Sequence, residues 1–202
     1  MSLPQYGIPS HLRHRQILGN GKRRAIIVLG HHRALKVELK PTAHGKSPNQ
    51  LEWNNFKRFF KNIPRELRPH IARISRQKKQ NGRISHQTRM VRDFDGTISK
   101  SMHAVGKISN AFFWKSFQGM VVELVKARIS FYDFTPKNIL VKRVSEEKWI
   151  PVLVDFESMG AHASPWQFWL RLNFFSGMKV HRRADRLMHA YVSTAQSPKK
   201  PE

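Results

Sequence analysis

The chain has 202 residues, enough for one ordinary domain or two small lobes around a real core. It contains no cysteine, which excludes disulfides and thiolate metal sites and fits a reducing compartment. Against 37 Lys and Arg stand only 13 Asp and Glu, and the formal charge of +24 calls for an anionic partner: nucleic acid, a membrane face or a phosphorylated substrate.

The basic residues cluster at Arg13-His14-Arg15, at Lys22-Arg23-Arg24, and from Lys57 through Arg92, where Glu66 is the only acid. Such a surface reads either as solvated charge or as a docking face. Residues 1–16 form an N-terminal segment without the apolar stretch of a secretory leader, and no apolar run approaches the roughly 20 residues that span a bilayer. The expectation is a cytoplasmic protein, at most peripheral at the inner face of the membrane.

From Gln16 to Leu39 the pattern predicts three strands. Ile17-Leu18 leads into a turn at Gly19-Asn20-Gly21-Lys22, then Ala25 to Leu29, a second turn at Gly30-His31-His32, and Ala34 to Leu39. In the last strand, alternation puts Leu35, Val37 and Leu39 on one face and Ala34, Lys36 and Glu38 on the other. A small residue two positions before a lysine suits a nucleotide site: Ala34 leaves room for a flat adenine, and the Lys36 ammonium reaches the α- and β-phosphates. Gly19 and Gly21 would let backbone amides approach phosphate, or simply turn a hairpin.

Ser47-Pro48-Asn49-Gln50 predicts a helix start, with an N-cap serine, proline at the first position and glutamine three after the cap. The helix should run to about Asn62, with Glu52 on the stripe of Phe56, Phe59 and Ile63. A carboxylate there asks for a cation, and Lys36 is the natural one. Ile71 to Arg76 and His86 to Val91 add two strands around an Asn81-Gly82 turn, completing a small antiparallel sheet. Asp93-Phe94-Asp95-Gly96 breaks the pattern, so one unit spans 17–95 and a second 96–192.

The second unit reads as helix from about Ser99, strongest where Phe113, Phe117, Met120, Val121, Leu124 and Val125 form a core stripe. Ile129 to Gly160 follows: a turn carrying Asp133 and Asn138, a strand from Ile139 to Lys142, a polar hairpin at Ser145 to Lys148, and an apolar strand from Ile150 to Val154 ending in Asp155. A carboxylate closing a buried strand is costly unless a cation or metal meets it. D-x-x-x-x-N, strand, hairpin, strand, D-F is the order of a phosphotransferase of the protein-kinase type. There the first aspartate orients or deprotonates the attacking hydroxyl, here Asp133. Asn138 and Asp155 would hold Mg²⁺ against the phosphates of ATP, since a hard cation prefers oxygen ligands. Ser164-Pro165-Trp166 predicts a further helix bearing Trp169, Leu170, Leu172 and Phe175, read as core packing or as a basic, Trp-rich face for a membrane surface. Met178 to Val192 gives a last basic helix, and residues 193–202 a disordered tail.

The order ALKV, a helix with Glu52, RDFDG, FYDFTPKNILVKR and PVLVDFESMG resembles the PhoP regulatory network protein YrbL family, small bacterial proteins of kinase-like fold. D-F-E in place of D-F-G is also similar to aminoglycoside and choline kinases. The resemblance implies an α+β, protein-kinase-like bilobal fold: a small antiparallel sheet with one helix in the N-lobe and a minimal, mostly helical C-lobe. It implies Lys36 and Glu52 as the nucleotide-positioning pair, Asp133 as catalytic aspartate, and Asn138 and Asp155 as metal ligands. The acceptor it implies is a small molecule or an anionic envelope glycolipid related to lipopolysaccharide. Phe131 stands where kinases carry the histidine of the catalytic loop. Three functions compete at this stage: an ATP–Mg²⁺ phosphotransferase, a pseudokinase acting as a regulatory binding module, and a basic nucleic-acid-binding protein.

Overall fold

The computed structural model describes residues 8–20, 23–40, 47–80, 83–129, 131, 133–157 and 173–192. The expected turns at Gly21-Lys22 and Asn81-Gly82, the helix expected from Ser164 with Trp166, Trp169, Leu170 and Leu172, and the tail from Ser193 lie outside them. The architecture is α+β, with a five-stranded antiparallel sheet, a three-stranded antiparallel sheet and helices packed between and beside them.

Strands β1 (Ile17–Asn20), β2 (Arg24–Gly30) and β3 (Arg33–Glu38) form a meander, as their alternation predicts. Gly19 belongs to β1, opposite Ile26, so the first expected glycine of the loop is a ladder residue. Helix α1 (Pro48–Phe60) comes next, then β4 (Ile74–Gln80) and β5 (Arg83–Arg89). The sheet order is β1-β2-β3-β5-β4, with β5 inserted beside β3. The last two strands were expected a few residues off, because Ile74–Gln80 is mostly Arg, Lys and Gln on a sheet edge, with no apolar alternation to mark its limits.

The two faces of this sheet differ in kind. Ala25, Ile27 and Val37 are buried on one face beneath Ile8 and Leu12, which a 3-10 turn at Ser10–Leu12 carries over them. The other face presents Arg24, Lys36, Glu38 and His86 toward α1, and Lys36, Glu38 and His86 are buried. Polar groups inside need partners, and α1 supplies them. Ser47 accepts from the Gln50 amide at 3.1 Å as N-cap while its hydroxyl donates to Glu38. The Asn49 amide nitrogen donates to the carbonyls of Lys36 at 3.1 Å and Ile84 at 2.7 Å, tying the helix to β3 and β5. The Gln50 side chain bonds Asn54 at 2.9 Å rather than reaching back, so only half of the expected capping box forms.

Beyond Gly96 the helix expected from Ser99 is divided. A short β6 (Lys100–Ser101) and one turn of α2 (Met102–Val105) stop at Gly106, whose φ of 77° suits glycine, before α3 (Ala111–Lys126) begins. Asn110 caps α3, accepting from the Phe113 amide at 2.8 Å. Phe113, Phe117, Met120, Val121 and Leu124 are buried as the helical period requires, each large side chain contributing roughly 1.5–3 kcal/mol. They pack with β7 (Ile139–Arg143), β8 (Trp149–Leu153) and Val180, Ala184 and Leu187 of α4 (Asn173–Tyr191) in one core that continues to Phe56 of α1. The β7–β8 hairpin closes through Val144 N to Lys148 O at 2.8 Å. Helix α4 starts five residues before the expected Met178. No helix among the described residues is long and apolar enough to cross a membrane.

Candidate functional site

Glu52 is the hub. It projects from the buried side of α1, 1% exposed, and accepts from the Lys36 ammonium of β3 at 2.6 Å, the pairing the sequence led us to expect. Its second oxygen accepts from Arg24 at 2.8 Å and lies 3.5 Å from His86 Nε2. The same carboxylate takes the backbone amide of Phe156 at 3.3 Å. One side chain therefore joins β2, β3, β5 and the segment after β8.

Asp155 sits where the strand rule placed it, just past the end of β8, with φ of 69°. Aspartate tolerates this left-handed conformation better than most residues, and the surroundings hold it there. The cation it asks for is Arg24, whose guanidinium donates to Asp155 at 2.9 Å and to Glu157 at 3.0 Å. Burial alone would raise the Asp155 carboxyl, but Lys36 and Arg24 outweigh it and hold the group below the usual carboxylate range. Burial likewise opposes the charge of Arg24, and Asp155, Glu52 and Glu157 reverse that and raise its pKa. From the helix side, the Asn55 side chain donates to the carbonyls of Phe156 and Glu157, both at 2.9 Å.

The Asp133 loop is more open. Asn138 donates to the Asp133 carboxylate at 2.7 Å and to its carbonyl at 3.2 Å, while its own carbonyl accepts from Val154 N at 2.9 Å. The Val154 bond links the loop to the residue before Asp155. Phe134 and Phe131 are buried and anchor the loop on α3, Phe117 and Phe134 meeting at 5.5 Å between ring centres and Phe131 and Phe156 at 6.3 Å. Phe131 is buried and works as packing. Ala34 is buried on the same side of β3 as Lys36, opposite Thr88.

Four participants were not foreseen: Arg24, Asn55, His86 and Glu157. Asn49, Glu52 and Asn55 recur every third residue, a polar stripe on an otherwise apolar helix face, and that spacing marks the side that meets the sheet. Arg24 carried no such mark. His86 is fully buried, and among the described residues neither ring nitrogen has a hydrogen-bond partner; burial pushes its imidazole down to about 4 despite the pull of Glu52.

Among the described residues no three His, Cys, Asp or Glu side chains converge as a metal cluster. Mg²⁺ is commonly held by one or two carboxylates with water and substrate phosphates completing its shell; Asp155 and Asn138 carry oxygens of that kind, and the Asp155 carboxylate is here held by Arg24. No family model matches the chain, and no curated protein matches it.

Proposed function

We propose that the chain is a kinase-like phosphotransferase using Mg²⁺–ATP, of the YrbL type its motifs resemble, with residues 17–95 and 96–192 as the two lobes. The observation that carries this reading is the 2.6 Å pair between Lys36 on the third strand and Glu52 on the following helix, which in turn binds the amide beside Asp155. That is the pairing a kinase uses to aim its lysine at the α- and β-phosphates. In the proposal Ala34 borders the adenine, Lys36 holds phosphate, and Asp133 orients the acceptor hydroxyl and takes its proton. Asn138 and Asp155 would hold the metal, whose chemistry is to neutralise charge on the phosphates. The acceptor is a hydroxyl of a small molecule or an anionic envelope glycolipid, in keeping with the basic surface.

Mg²⁺–ATP at 100 times its Kd should raise stability by about 2.7 kcal/mol, an increase in Tm on the order of 5–10 °C, and Asp155→Ala should remove the shift. An intact protein whose Tm ignores Mg²⁺–ATP would defeat the reading. Arg24 favours a second one: its guanidinium lies on the carboxylate that the metal would need. A pseudokinase would bind nucleotide without releasing ADP for any acceptor, and Asp133→Asn would leave its role in cells intact.

A further inference from the structure

A second site emerges away from the Glu52 cluster, with which it shares no lining residue. Between the β2–β3 turn, the 3-10 turn at Arg65–His70, the start of β4, the Arg89–Gly96 segment and the β7–β8 hairpin lies a cavity of about 590 Å³, the size of a small-ligand site. Its walls bring together Arg68, Arg73, Arg89, Arg92 and Lys142, five cations from four separate stretches of chain.

Among the described residues the only acid in the lining is Asp93, and its carboxylate is already engaged. It accepts from Ser99 Oγ at 2.5 Å, from the Arg143 amide at 3.0 Å and from Arg143 Nε at 2.8 Å. Among the described residues Arg68, Arg89 and Lys142 meet no carboxylate, and Arg73 lies over the ring of Phe60 at 5.3 Å. Arg92 is the organising group. Its Nε donates to the His31 carbonyl at 2.5 Å and its Nη1 to the Gly96 carbonyl. Carbonyls fix the guanidinium in place but leave its charge intact. The field is felt next door, where Arg92 first and burial second lower the His31 pKa.

A solvated basic face spreads its charges outward into water. Here they converge on a concavity, with one fork fixed in advance. Guanidinium forks match phosphate oxygens in pairs, and a cavity of this size admits a compact ligand rather than a duplex. We infer that the cavity is a binding site for a small ligand carrying two or more phosphate groups, free in solution or as the headgroup of a lipid.

Calorimetry with tripolyphosphate, with orthophosphate as control at matched ionic strength, tests this. Tripolyphosphate should bind at least tenfold tighter than orthophosphate. The triple variant Arg68→Ala, Arg89→Ala, Lys142→Ala should weaken it tenfold or more. Arg92→Lys, which keeps the charge and loses the fork, should weaken it several-fold. Arg24→Gln, which alters the Glu52 cluster, should leave it within twofold. Phosphatidylcholine vesicles doped with a bisphosphorylated inositol lipid separate the sources: sedimentation that the triple variant loses and tripolyphosphate competes away assigns a lipid headgroup, and binding of tripolyphosphate alone assigns a free ligand. Affinity kept by the triple variant, lost in Arg24→Gln, equal for the two phosphates, or displaced by single-stranded nucleic acid at lower concentration overturns the proposal. The inference is independent of the phosphotransferase reading, whose Mg²⁺–ATP test uses Asp155.

Discussion

Two groups of cations lie in this molecule, and they are treated in opposite ways. Around Glu52, Lys36 and Arg24 each meet carboxylates within 3.0 Å, and Glu52, Asp155 and Glu157 answer them. Around Arg92, five cations share a cavity whose single acid among the described residues is committed to Arg143 and Ser99. A chain with so few acids spends three of them on the first group, the buried one, where unpaired charge is most costly. The second group lies at the surface, where water screens it. Charge that is matched holds a structure together; charge left unmatched in a concavity is available for binding.

The contrast breaks most clearly at Glu52. Glu52→Gln leaves Lys36 and Arg24 facing a neutral amide in a buried site, and the expected loss is about 3–5 kcal/mol, read as the shift in urea midpoint at constant slope. A smaller effect comes with acid. His86 has a folded pKa of about 4 against 6.5 when unfolded, so below pH 6.5 the unfolded chain binds the extra proton. Stability should therefore fall by roughly 3 kcal/mol as pH drops from 6.5 to 4, and His86→Phe should flatten the slope measured by melts across that window. Half-buried His70, also lowered, adds loss of the same sign, and the contribution of Asp155 persists above pH 4 and fades as pH falls through its depressed folded pKa. The smallest effect belongs to the other group. The triple variant at Arg68, Arg89 and Lys142 should melt within about 1 kcal/mol of the parent, and on the stable side if mutual repulsion among the cations dominates. A loss as large as that of Glu52→Gln would erase the distinction.

How much of this was legible in the sequence follows from how far each contact reaches. Lys36 and Glu52 are 16 residues apart, one on a strand with clear alternation and one on a helix with a clear stripe, so phase alone put them face to face. The Asp155 bond to Arg24 crosses 131 residues, and Arg24 stands in a basic triplet with no periodicity to single it out. The cations around Arg92 were seen only as a diffuse basic stretch, because neighbours in a cavity need share no spacing along the chain. His86 fell within an expected strand, but which of its neighbours would be charged depended on the register of β5 beside β3. The break at Gly106 was missed for a simpler reason: a single glycine is tolerated in many helices, and only the backbone angle distinguishes the one that ends a helix.

Helix α1 is fastened at both ends of its inner face. Asn49 grips the sheet through two carbonyls, and six residues later Asn55 grips the two carbonyls that follow Asp155, with Glu52 between them. Six residues of helix span about 9 Å, so the element acts as a short crossbar. Any swing of the sheet relative to the Asp155 segment must either carry this rod along or tear two side-chain hydrogen bonds from one of its ends, which makes the tilt of a single helix the natural lever by which the two halves of the site would be brought into or out of register.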